Sequence, residues 1–252
     1  MTTVAKMGEI GPIDRDINGK TPTGGVRGPF ALKALKLKGN TAPTYPVLWS
    51  HDAESERTLL FDADCEGLPL KGSTKREQTF IDERVASVWA TASHSHFNRD
   101  FRFNSQSTAM QLTSRATIGG RAWLSVRLAS IEQEKALVLW ANTSLGLLLY
   151  WWHANKATSG RGTIAKVALH DLAVLDVTAL TPEQLANAAK LFNEMSAKPL
   201  LPLNEVDHDH VRKELDERFA THVLGLPSSV YGALELLRMK LAREPSIRGQ
   251  KL

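Results

Sequence analysis

Apolar residues recur along this chain at two different periods, and the changes of period mark out its elements. Between residues 77 and 92 (EQTFIDERVASVWATA) Phe80, Ile81, Arg84, Val85, Val88 and Trp89 fall at helical spacing, which predicts an amphipathic helix. Three more helices are expected at the end of the chain. Thr181-Pro182-Glu183-Gln184 reads as a capping box with proline in the first turn; Leu185, Ala188, Ala189, Phe192 and Met195 form the buried stripe that follows. A second helix starts near Asp207 or Asp209 and buries Val211, Leu215, Phe219 and Val223, with Gly225 and Pro227 as its stop. A third starts at Ser228 or Ser229, buries Val230, Leu234, Leu237 and Leu241, and ends before Pro245.

Shorter apolar runs predict strands at residues 47–49, 58–61 and 123–126. FNRDFRFNSQ reads as a strand, followed by a short helix near STAMQL. KALVLWA, residues 135–141, is an almost uninterrupted apolar run and is expected to be a strand buried on both faces. Asn142, Thr143 or Ser144 then caps a helix over 145–154. That helix is apolar nearly all round, so it belongs inside the domain. Residues 1–45 are rich in glycine, proline and threonine. They predict short strands and tight turns, with Gly24-Gly25 as a hairpin tip. Gly119-Gly120 marks a turn or a close backbone approach. The fold class expected is α+β: a body of mixed strands over residues 1–180 and a helical C-terminal extension over 181–252.

Charge adds a direction. The net charge is +4 at pH 7, and the excess is local. Residues 97–127 carry Arg99, Arg102, Arg115, Arg121 and Arg127 against Asp100 alone; residues 1–40 are basic too, whereas the C-terminal helices mix signs. A nucleic-acid-facing surface concentrates cations in this way. Cys65 is the single cysteine, so an intrachain disulfide is excluded and a reducing cytoplasm is expected. MTTVAKMGEIGP has no apolar signal core. The most apolar stretch, 136–152, is interrupted at 142–144 and falls short of the roughly 20 residues of a membrane span, so it is expected to be core.

Two segments carry candidate chemistry. Lys156, Ser159, Gly160, Arg161 and Gly162 form a basic glycine loop beside an aromatic-rich stretch, suited to an anion because glycines let backbone N–H groups approach a phosphate. In Asn98–Gln106, a strand would put Arg99, Phe101 and Phe103 on one face and Arg102, Asn104 and Gln106 on the other. Arginine and lysine on phosphates set register and affinity, whereas arginine, asparagine and glutamine at base edges read sequence. Arg121, after Gly119-Gly120, has the same logic. The competing readings are a solvated surface strand and a solvated loop. Trp151 and Trp152 either stack a base or fill the core.

In chain order these parts are a glycine-rich opening (GEIGPIDRDINGKTPTG), FNRDFRFNSQS, TIGGRAW, an apolar run into NTSLGLLLYWW, SGRGT and a tail DERFATHVLGLP. Together they resemble the C-terminal target-recognition domain of bacterial N6-adenine DNA methyltransferases of restriction-modification and phage-defence systems. The resemblance implies sequence-specific binding of double-stranded DNA through Arg99, Arg102, Asn104, Gln106, Arg121, Lys156, Ser159 and Arg161. It also implies a partner, an adenine methyltransferase catalytic domain or subunit. The chain departs from that family in lacking the Asn/Asp-Pro-Pro-Tyr/Phe tetrapeptide that holds a flipped adenine, and the glycine-rich loop for S-adenosylmethionine. No cofactor is therefore expected in this chain and no methyl transfer by it alone; S-adenosylmethionine is expected in the catalytic partner.

Two readings of other kinds compete. A metal-dependent nuclease would draw on His94-Ser95-His96, on Asp207-His208-Asp209-His210, or on Asp62, Asp64, Glu66 and Lys71. Both histidine clusters lack a third ligand at suitable spacing, and the acidic set lacks the acid-x-Lys spacing. The other alternative is a structural subunit of a defence complex that binds protein through its helical tail.

Overall fold

A computed structural model of the chain describes residues 3–14, 26–34, 44–49, 52–53, 56–120 and 122–250. Its strands are β1 (Val4–Lys6), β2 (Ile13–Asp14), β3 (Val26–Arg27), β4 (Phe30–Ala34), β5 (Tyr45–Leu48), β6 (Cys65–Pro69), β7 (Ser93–Asn98), β8 (Asp100–Arg102), β9 (Met110–Gly119), β10 (Trp123–Val126), β11 (Asn155–Ala157), β12 (Arg161–Thr163) and β13 (Ala173–Leu175). Its helices are α1 (Met7–Ile10), α2 (Lys75–Trp89), α3 (Ile131–Asn142), α4 (Ser144–His153), α5 (Lys166–Leu169), α6 (Pro182–Met195), α7 (His210–Arg218), α8 (Tyr231–Arg243) and α9 (Pro245–Arg248). The class is α+β, as expected.

Eight strands make the largest sheet, in the order β2-β10-β7-β9-β5-β6-β4-β3. Among the described residues its one parallel pair of neighbouring strands is β5–β9. A separate three-stranded sheet runs β11-β12-β8, and β1 pairs with β13. The chain passes from the large sheet to the small one at Arg99. Its N–H donates to Ala122 O and its carbonyl accepts from Ile164 N, both at 2.9 Å.

Residues 135–141 are helix, not strand. A run apolar on every side suits a buried helix as well as a central strand, and the capping decides. Ser130 accepts from the Gln133 N–H at the N-terminus of α3, with Glu132 and Glu134 in the first turn. Every residue from Ala136 to Asn142 is buried. Asn142 then accepts from Ala109 N–H and donates to Met110 O and Val138 O, each at 2.8 Å, which holds the start of β9 against the end of α3. Thr143 caps α4 by accepting from Gly146 N–H.

Other expectations are corrected. The segment STAMQL leads into strand β9 rather than forming a helix. Residues 58–61 make only an isolated bridge, Leu60 to Leu112. Phe80 is 62% exposed, so α2 buries Ile81 and Val85 without it. Helix α4 is not wholly interior, because Trp152 is 70% exposed. The described N-terminal hairpin, β3–β4, turns at Gly28-Pro29; Gly24-Gly25 lies outside the described residues.

The main core runs from Met7 to Ile247 and takes side chains from both the strand body and the C-terminal helices, among them Trp140, Phe192, Leu215, Phe219 and Leu241. A smaller core beneath α2 holds Phe30, Val47, Ile81, Val85 and Ile118. Two buried arginines tie the helices to the body. Arg212 donates to the carbonyls of Asn142, Ser107 and Leu201 and lies 3.3 Å from Asp209. Asp216 accepts from Ser144 N–H (2.7 Å), Ser144 Oγ (2.6 Å) and Arg238 Nη1 (2.6 Å). These bonds fasten α7 and α8 to the elbow between α3 and α4. Among the described residues no helix is long and apolar enough to cross a membrane.

Candidate nucleic-acid interface

The two basic segments meet in the small sheet. Strands β11 and β12 form a hairpin, and β12 pairs antiparallel with β8 so that Arg161 stands opposite Arg102, Gly162 opposite Phe101 and Thr163 opposite Asp100. Side chains alternate across a strand, so Asp100, Arg102, Arg161 and Thr163 share one face and Phe101 lies on the other. The first face is open, with Arg102 and Arg161 exposed. Phe101 faces the core with Phe103, and both rings pack on Tyr150, at 5.4 and 5.9 Å between centroids. Gly162 is required here, since a Cβ on it would stand 2.5 Å from the Phe103 ring.

The hairpin turns through two consecutive left-handed residues, Ser159 (φ 69°) and Gly160 (φ 73°). Ser159 is the one non-glycine residue with positive φ among those described. Phe103 N–H donates to Gly160 O at 2.8 Å, which locks the turn to the segment following β8.

The electrostatics are uneven. Arg161 is exposed but engaged: Nε and Nη2 donate to the two carboxylate oxygens of Asp100. Arg102 makes no ion pair among the described residues and is exposed. Lys156 is exposed, with its ammonium 4.5 Å from the centre of the Trp151 ring. Arg99 is half-buried at the junction of the sheets, and Ser159 is exposed at the turn. Asn104 is half-buried; its amide lies 2.9 Å from where a Gly160 Cβ would be. Arg121 lies outside the described residues.

Gln106 requires a correction. The strand ends at Arg102 and the chain turns back over 103–105, so the alternation expected out to residue 106 does not continue. Gln106 is 2% exposed. Its carbonyl accepts from Arg102 N–H at 2.6 Å, and its amide donates to Glu56 at 3.3 Å. It staples the end of β8 from inside instead of presenting its amide to a base. Glu56, also buried, accepts from Asp52 N–H at 2.7 Å, and burial pushes its carboxyl up to about 8.

One contribution escaped the sequence reading. The chain does not end its ordered course at Pro245. Glu244 caps and Pro245 opens the one-turn helix α9, and Gly249 closes it in the left-handed conformation. A Cβ on Gly249 would lie 2.9 Å from the Ser159 carbonyl carbon and 3.1 Å from Asn104 Nδ2. The C-terminal turn therefore forms one side of the 158–161 loop and brings exposed Arg248 alongside it. The proline and glycine bracketing SIR were the available signal.

The residues weighed as metal or acid chemistry do not gather into a ligand set among the described residues. His94 Nδ1 faces Thr113 O, and His96 is fully buried with Nε2 on Ser93 O; burial pushes its imidazole down to about 3, so it is neutral. Asp209 caps α7. Asp62 bonds Ser114, while Asp64 accepts from Trp49 N–H. Among the described residues no three His, Cys, Asp or Glu side chains are grouped to hold a metal ion.

No protein-family model matches the chain, and no curated protein matches it in sequence. Among solved structures, its fold is similar to that of the type IIG restriction endonuclease BpuSI, with a TM-score of 0.63 at 14% identity. The match covers 97% of this chain and 32% of that one. The chain thus shares nearly its whole fold with a structure of which it spans about a third.

Proposed function

We propose that this chain is a sequence-specific double-stranded DNA recognition domain working with an N6-adenine DNA methyltransferase of a restriction-modification system. The observation that carries the reading is the three-stranded sheet that unites residues 100–102 with 155–163, with Arg102 and Arg161 side by side on its open face, Ser159 at the turn and Lys156, opposite Gly162, on the other face. The fold likeness to an enzyme named as a restriction endonuclease supports a DNA-related role.

In this reading Arg99, Arg102 and Lys156 contact phosphates, which supplies salt-dependent affinity and fixes register. Arg161 and Asn104 stand beside them for base edges, with Ser159 and Arg248 at the loop. The C-terminal helices brace this surface through the buried arginines. The chain itself binds no cofactor; S-adenosylmethionine and the target adenine are held by the catalytic partner, which extrudes the base to reach it. Such work belongs to the cytoplasm.

The test is binding of the purified chain to a labelled duplex across a series of salt concentrations. Affinity should fall steeply with salt, and Arg102→Glu should weaken binding about tenfold and reduce the slope of log K against log salt by about 1. A chain that retains no DNA at low salt would overturn the proposal in favour of a protein-binding subunit.

A further inference from the structure

Trp152 is the most exposed aromatic side chain among the described residues, at 70%. It sits one residue before the end of α4, where the chain turns directly into β11. Its neighbour Trp151 is fixed from two sides. The Trp151 indole N–H donates to Ser246 Oγ at 2.9 Å, and Lys156 lies over its ring. The two indoles meet edge to face, 6.3 Å between centroids at 60°. Trp152 is thus a large, mostly exposed ring set edge to face against a neighbour that is itself held in place and carries a cation over its own ring.

We infer that Trp152 is a stacking platform for an unpaired nucleobase, so that this surface prefers DNA with a base out of its stack over a fully paired duplex. The inference rests on the DNA-recognition reading above. Two observations favour a base over a protein partner. First, the exposed apolar area of α4 is concentrated on this single ring: Leu148 and Leu149 are half-buried against the core, and Leu145 is 37% exposed. A stable protein interface needs a broad patch, whereas a base needs one ring. Second, Lys156 lies over the neighbouring Trp151 ring, which Trp152 meets edge to face, and exposed Asn155 precedes that lysine in β11. An aromatic face for the base with a cation for its phosphate is the pairing by which proteins hold unstacked strands. Paired bases are stacked on one another within the duplex and cannot offer a face to Trp152, so the preference follows from geometry.

The experiment compares the full chain with Trp152→Ala on two labelled duplexes of one sequence, one fully paired and one with a single extra unpaired base replaced by 2-aminopurine. Wild type should prefer the bulged duplex by about tenfold and quench the 2-aminopurine. Trp152→Ala, a surface change that leaves thermal unfolding in place, should bring the ratio close to one and remove the quenching. The inference is overturned if wild type shows no preference, or if Trp152→Ala keeps both preference and quenching. Should the variant keep them while Arg102→Glu still lowers the salt slope, only the role of Trp152 falls. Should wild type bind neither duplex, the DNA-recognition reading falls and takes this inference with it. Loss of self-association in Trp152→Ala, with unchanged DNA binding, would assign the ring to a protein contact instead.

Discussion

Arg161 on β12 closes two hydrogen bonds onto the carboxylate of Asp100 on β8, diagonally across the small sheet. The residue directly opposite Arg161 is Arg102. Like charges facing each other across a ladder repel, and Asp100 offsets that repulsion. The same pairing restrains one of the two cations of the basic glycine loop.

Asp100→Asn should release Arg161 toward a polyanion. The expected outcome is tighter DNA binding, with a salt slope steeper by about 1 as one more phosphate contact becomes available. Binding weaker than wild type would instead mean that Asp100 is needed to hold Arg161 in its working position.

The buried pair of Arg238 and Asp216 has side chains 1% and 0% exposed. Removing one partner leaves the other charge buried and unpaired. Arg238→Met is expected to cost about 3–5 kcal/mol in urea unfolding. A loss under about 1 kcal/mol would show that water reaches Asp216.

Glu56 makes stability depend on pH. Its carboxyl titrates near 8 in the folded chain because of burial, against about 4.3 when unfolded. The folded state therefore holds the proton more tightly. This contribution is fully present below about pH 4.3 and is lost as pH rises through about 8. Glu56→Gln should remove that slope, raising the melting temperature by roughly a few degrees at pH 8 relative to wild type, with a smaller difference at pH 5. Parallel pH profiles for the two proteins would rule the assignment out.

Gly160→Ala meets two obstacles, a φ of 73° and a Cβ that would stand 2.9 Å from both Ile247 O and Asn104 Cγ. It should destabilise the fold by about 1–3 kcal/mol and loosen the contact with α9. Ser159→Gly, at the neighbouring left-handed position, should leave stability within about 1 kcal/mol of wild type. Equal losses from both changes would place the cost elsewhere than in the backbone conformation.

The parts of this protein that local chemistry controls could be read from the sequence. The Thr181–Gln184 capping box starts α6 with both reciprocal bonds formed, Asp209 caps α7, and the periodicity of 77–92 foretold α2. Such features depend on residues three or four apart, whose geometry is the same in any fold. The α+β class and the basic character of segments 99–106 and 156–161 were legible for the same reason. Residues 135–141 were not, because an all-apolar run carries no period, and only a cap five residues upstream separated helix from strand. Tertiary structure alone decided the candidate site. Whether Gln106 faces a base or Glu56, whether Arg161 is free or held by Asp100, and whether the tail reaches Ser159 are settled by partners 50, 61 and about 90 residues away. Chain composition fixes which groups exist, but burial and pairing across those separations fix which of them remain available to a ligand.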